Sequence, residues 1–250
     1  MYYQFNGINM FYCLSGNYNA QESILLIHGL GWSHEYFLNI LNYPLLISNY
    51  RLIFVDLIGF GRSDKPENFD YNLSSQAEIC CSLLNDLGVD KYHIIAHSMG
   101  GVVAQYVAEK IKTMSFVNCE GTLVPEDCIL SGFIANQGKE RFLEKGYDNL
   151  KKKWQGSLFF NYFNMASPWG IFLSSQSLVH FTLEQKILER FISLNLKKIY
   201  IYGEKNRGKK KTEAHFKKAG IQVEYIRNSG HSMVEENPDD FYQKLIEFLM

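Results

Sequence analysis

The segment Ala96-His97-Ser98-Met99-Gly100-Gly101 puts a serine where its hydroxyl can become a nucleophile. An apolar run, HIIA, leads into it and a helix-like run, GVVAQYVAEK, leads out. A strand–turn–helix of this kind lifts the serine oxygen above the sheet, at the positive end of the following helix. The turn is so tight that the residues two before and two after the serine must be small, and here they are Ala96 and Gly100. Alanine at the first of these positions is a mild departure from the usual glycine. A serine hydroxyl is a poor nucleophile until a base takes its proton. Of the seven histidines, His231 in Gly230-His231-Ser232 falls in a loop between the last apolar run and the last helix, which makes it the candidate base. The oxyanion formed on attack needs preorganised N–H donors. The amide of Met99 supplies one, and the Leu30 amide in the glycine-flanked loop His28-Gly29-Leu30-Gly31 supplies the other. His28 and His97 read as neighbours of the site, with His97 a candidate substrate contact. His34, His93, His180 and His215 read as surface or packing residues.

The elements that must hold these residues alternate along the chain. YYQF, Asn6-Gly7 and INMFYCLS predict a hairpin, because Asn-Gly suits a turn with φ above zero at both positions. Short apolar runs follow at Ile24–Ile27, Leu52–Val55, His93–Ala96, Phe116–Cys119, Ile199–Tyr202 and Val223–Ile226. Continuous apolar runs of this length fit strands buried on both faces of a mostly parallel sheet. Helical patterns lie between them at Ser74–Leu87 and Gly101–Ile111, and another closes the chain at Pro238–Met250. The alternation predicts an α/β class with a doubly wound, mostly parallel sheet. Residues 122–190 break it with helical periodicity, many aromatics and no clear strand. They are read as an inserted helical cap, with residues 1–121 and 191–250 forming the core. Most of the aromatics glue that cap to the core, while Phe133 and Trp169 are expected to reach the substrate.

The chain has 250 residues, 46% hydrophobic and 20% charged, with a formal net charge of −1. Length and composition suit one folded domain with an insertion, and the charge balance offers no field for nucleic acid. The first residues lack a basic region followed by an apolar run, so no signal peptide is expected, and no apolar window is long enough to predict a membrane span. Cys13, Cys80, Cys81, Cys119 and Cys128 form no CxxC pair and read as thiols of a reducing cytoplasm. No clustered ligand set points to a metal, and no cofactor is expected. Gly203 to Lys209 matches G-x₄-G-K, but Lys210 follows where a phosphate loop needs Ser or Thr.

In this order and spacing, HGLG, DLIGFGRSDKP, AHSMGG and GHSMVEENP resemble the α/β-hydrolase superfamily of lid-bearing esterases over nearly the whole chain. The resemblance implies that fold, a Ser98–His231 pair in the roles above, and a structural place for Asp56 and Arg62. It also exposes a departure. In the commonest family pattern the triad acid lies three residues after the glycine ending the strand at Tyr202, where this chain has Asn206. Glu120, directly after the strand ending at Cys119, is the expected replacement, as in haloalkane dehalogenases; Glu204 is the alternative. The expected activity is hydrolysis of a carboxylic ester or thioester of a small, largely apolar acyl group through an acyl-enzyme. Lys205, Arg207, Lys209, Lys210 and Lys211, with Lys151, Lys152 and Lys153, raise the alternative of an ester or thioester on an acidic acyl carrier or coenzyme A. A second alternative is a ligand-binding protein with a degraded triad, for which Asn206 is the evidence.

Overall fold

The computed structural model describes every residue except Val89, Lys209 and Lys210. Its frame is one eight-stranded sheet made of β1 Tyr2–Phe5, β2 Ile8–Gly16, β3 Glu22–Ile27, β4 Tyr50–Val55, β5 Tyr92–His97, β6 Thr113–Cys119, β7 Lys197–Gly203 and β8 Gln222–Ile226. The strands lie in the order β1-β2-β4-β3-β5-β6-β7-β8. β1 and β2 form the expected hairpin, with Asn6 at φ 49° and Gly7 at φ 81°, and β2 runs antiparallel to β4. From β4 to β8 every pairing is parallel.

The central strands are buried along most of their length because each face meets a layer of helix. In β3, Leu25 and Ile27 join one core while Ile24 and Leu26 join the other; in β4, Ile53 and Val55 face opposite to Leu52 and Phe54. Burying one such side chain contributes about 1.5–3 kcal/mol, so a slip of one residue in register is disfavoured on both faces at once. Between β3 and β4 lie a 3₁₀ stretch, His34–Asn42, and α1 Pro44–Asn49, which the sequence pattern did not mark. α2 Leu73–Asp86 starts one residue before the predicted Ser74, because the Asn72 side chain caps it by accepting from Ser74 N at 3.0 Å. α3 Gly100–Lys110 follows β5 directly.

Between β6 and β7 the chain is helical, with no strand among the described residues: α4 Ile129–Ala135, α5 Lys139–Arg141, a π-helical stretch Phe142–Gly146, α6 Tyr147–Trp154, α7 Leu158–Asn164, α8 Pro168–Glu184 and α9 Ile187–Ser193. The expected cap boundary at residue 190 falls inside α9. That helix belongs to the core side, since its Phe191 ring packs against Phe116, Tyr200 and Phe216. α10 Thr212–Ala219, α11 Met233–Glu236 and α12 Pro238–Leu249 complete the fold. Among the described residues no helix is long and apolar enough to cross a membrane.

Candidate active site

Three strand ends and one loop bring the candidate side chains to one edge of the sheet. Ser98 follows β5 with φ 53°, in the left-handed region, a conformation that costs a non-glycine residue roughly 1–3 kcal/mol. Neighbouring backbone holds it there: Ser98 N donates to Cys119 O at 3.0 Å, and Ser98 O accepts from Gly101 N at 2.9 Å and Thr122 N at 3.3 Å. Gly100 is required by crowding. A Cβ there would lie 2.5 Å from His28 O and 2.6 Å from Ile27 O. Gly29 is required likewise, since its Cβ would lie 2.9 Å from Ser98 Cβ. The loop after β3 and the serine turn therefore touch backbone to backbone, which sets Leu30 beside Ser98 in one cavity. Among the described residues, no protein acceptor takes the amides of Leu30 or Met99.

His231, between β8 and α11, is bound through Nδ1 to Glu120 Oε2 at 2.8 Å. A carboxylate can only accept, so Nδ1 carries the hydrogen and Nε2 is left to receive a proton. Glu120 begins from a second left-handed backbone position, φ 42°, and is 5% exposed. Its Oε1 accepts from Gly203 N at 2.9 Å and Asn206 Nδ2 at 2.8 Å, and its Oε2 accepts from the same Nδ2 at 3.0 Å. Burial pushes the carboxyl up, but the bond and charge of His231, with the bonds from Asn206 and Gly203, outweigh it and hold Glu120 below the usual carboxylate range.

The residue at the usual acid position, Asn206, is thus a donor to Glu120. The alternative acid, Glu204, is corrected: it is exposed, and its carboxylate accepts from Asn228 N at 2.9 Å within a surface turn. Asp56 is a structural clasp, accepting from the backbone and ring of His34 and from Arg62 N. His28 is closed off as well, with Nε2 accepting from Leu57 N at 3.0 Å.

Ser98, Glu120 and His231 line a cavity of about 570 Å³ with Leu30, Trp32, Val124, Leu130 and Leu178, a volume suited to a small ligand. Three expected substrate contacts are placed elsewhere. Trp169 lines a separate surface depression with Lys65 and Asn164, its ring under the Lys139 ammonium at 4.5 Å. Phe133 is 57% exposed; α4 gives Ile129, Leu130 and Ser131 to the cavity wall, and Phe133 is not part of that wall. His97 is wholly buried behind the site, packed against Trp32, Tyr36 and His231, with Nε2 donating to His231 O at 2.9 Å. Burial first, and then the neighbouring His231, push its pKa well below the ordinary histidine value, so His97 is a neutral brace for the loop that carries His231. Trp32 was missed by sequence reasoning, although it follows the HGLG loop directly. Its indole packs on Phe159 of α7 at 4.2 Å and edge-on to His231 at 6.0 Å, linking the helical stretch to His231.

Of the basic loop, Lys205 pairs with Glu236, Lys211 pairs with Glu126, and Arg207 lies 4.8 Å over the Tyr225 ring. Lys209 and Lys210 lie outside the described residues.

Residues 22–143 match the family model described as alpha/beta hydrolase fold. The chain is 35% identical over 121 residues to Lipase 1 of Psychrobacter immobilis, a match spanning 46% of this chain and 37% of the lipase. It is 33% identical over 100 residues to a probable lysophospholipase, BODYGUARD 4 of Arabidopsis thaliana, spanning 38% of this chain and 24% of that protein. The matches therefore span less than two fifths of these relatives' lengths. Among solved structures, a study of carboxylesterases from Nitrososphaera gargenis supplies a chain with a TM-score of 0.79 at 20% identity, covering 100% of this chain and 97% of that one. A thermophilic esterase from Thermogutta terrifontis has a TM-score of 0.79 at 19% identity, covering 97% and 93%. At that level of identity the likeness is one of fold.

Proposed function

We propose that this chain, whose fold is that of the α/β hydrolases, is a serine hydrolase of a carboxylic ester or thioester with a small, largely apolar acyl group. The observation that carries the reading is the convergence of Ser98, strained into the left-handed region, and His231, bound to Glu120 at 2.8 Å, on one apolar cavity. In this reading His231 Nε2 takes the proton as Ser98 Oγ attacks the substrate carbonyl carbon. The amides of Leu30 and Met99 hold the resulting oxyanion. His231 returns the proton to the leaving group as that bond breaks, leaving the acyl group on Ser98. Water, deprotonated by His231, then attacks the acyl carbon; His231 returns that proton to Ser98 Oγ as the acyl–oxygen bond breaks, which releases the carboxylic acid. Glu120 stays ionised and stabilises the imidazolium. The acyl chain lies against Val124, Leu130 and Leu178, with the helices between β6 and β7 serving as its cap.

A neutral leaving group suits the site better than an acidic carrier, since Lys205, Arg207 and Lys211 each already engage a partner within the protein. The reading as a ligand-binding protein drew on Asn206, and Glu120 beside His231 weakens it. Five thiols fit a reducing compartment such as the cytoplasm. The test is hydrolysis of p-nitrophenyl esters of increasing acyl length, alongside labelling by a fluorophosphonate. The parent turns over and labels, and Ser98→Ala loses labelling and at least ~10³-fold in kcat. A folded parent that neither labels nor turns over would make the chain a binding protein.

A further inference from the structure

Asn206, just past the end of β7, lies on the cavity wall and takes no part in the acyl-transfer steps. We propose that Asn206 is a positioning residue, whose amide grips both oxygens of Glu120 and keeps that carboxylate ionised and aimed at His231. The proposal rests on the serine-hydrolase reading for its kinetic consequences, and on geometry alone for its effect on His231.

Glutamate has one more side-chain torsion than aspartate, and Glu120 also starts from a left-handed backbone position. A carboxylate on such a lever needs fixing at its far end. The Asn206 amide has two hydrogens on one nitrogen, and that nitrogen lies 2.8 Å from Oε1 and 3.0 Å from Oε2. Gly203 N completes Oε1, and His231 Nδ1 completes Oε2. All these partners donate, so each favours the ionised acceptor over a protonated one. The other groups around Glu120 do not compete. On β6, Cys119 is a thiol that burial pushes up; on β7, Tyr200 and Tyr202 are phenols that burial pushes up, so all three stay neutral. Across the cavity lie Glu126 and Asp127, with Lys211 beside Glu126.

An amide is also the group that avoids conflict here. A carboxylate at residue 206 would set two like charges within hydrogen-bond distance, and such a pair shares a proton instead of ionising fully. Only when the second of them ionises does the pair add negative charge beside His231 and favour its protonated form.

Asn206→Asp, nearly the same shape, and Asn206→Ala test this by two readouts: NMR titration of the His231 imidazole, and kcat and KM against pH. In Asn206→Asp the His231 midpoint moves up from that of the parent, and the acid limb of kcat/KM moves with it. In Asn206→Ala kcat falls about tenfold or more while KM stays within about twofold, and the Nδ1–H resonance of the parent broadens. His231 titration that is unchanged in both variants, with kcat within about twofold of the parent, overturns the proposal and makes Asn206 simple cavity wall. A parent inert towards esters whose His231 midpoint still shifts as stated keeps the positioning role and defeats the hydrolase reading instead.

Discussion

At the ends of β5, β6 and β7, a few polar side chains converge on one another across long stretches of chain. In the helices between β6 and β7, the convergence is aromatic: Tyr147 stacks on Phe163 at 5.0 Å, Trp154 meets Phe163 edge-on at 4.9 Å, and Phe142 packs on Phe172 at 5.6 Å. Both regions are dense in side chains that can serve chemistry, yet they are used in opposite ways. The polar groups at the sheet edge need directional partners, so each contact there constrains the geometry of Ser98, Glu120 or His231. The aromatics gain most by burying area against each other, and the greater part of them holds the helices together instead of lining the cavity.

That contrast can be broken from either side. Glu120→Gln has the largest expected effect. It leaves the fold in place but loses the charge facing His231, and kcat falls about 10³–10⁴-fold, as for the loss of a triad carboxylate elsewhere; a loss below tenfold in steady-state assays would put the acid at another position. Adding Asn206→Asp to Glu120→Gln returns one carboxylate and one amide to the same pair of positions, and recovers tenfold or more of that loss. Phe142→Ala probes the other region. Phe142 is fully buried, so the change destabilises the chain by about 3–5 kcal/mol in denaturant titration, while kcat/KM per folded molecule stays within about threefold. Leu130→Trp fills part of the cavity, and moves the preferred p-nitrophenyl ester towards shorter acyl chains with about a tenfold loss on longer ones. Smallest of all, Trp169→Ala and Phe133→Ala change kcat/KM by less than about twofold; a larger effect from either would bring that residue back to the substrate path.

Much of the frame was legible because it follows from neighbours in sequence. The Asn6-Gly7 turn, the apolar runs of β3 to β8 and the small residues around Ser98 report steric and burial constraints that act within a few residues. His231 could be singled out as the candidate base by position alone, as a histidine between the last strand and the last helices. The boundary of the helical stretch was less so, since helical periodicity cannot show that α9 packs on the sheet rather than over the site.

The sequence by itself determined the strand–helix alternation, the serine turn and the glycines that let the loop after β3 approach it, because in each case a side chain of the wrong size or conformation clashes locally. Only the tertiary structure decided what Asn206, His97 and the aromatics do. Asn206 and His231 meet Glu120 across 86 and 111 residues of chain, and His97 reaches the His231 carbonyl across 134. A side chain's type restricts which bonds it can make, but which partner stands within 3 Å is set by how β6, β7 and the loop after β8 are laid side by side. For the same reason Asn206 reads along the chain as a missing acid, and in the folded protein as a donor to both oxygens of Glu120.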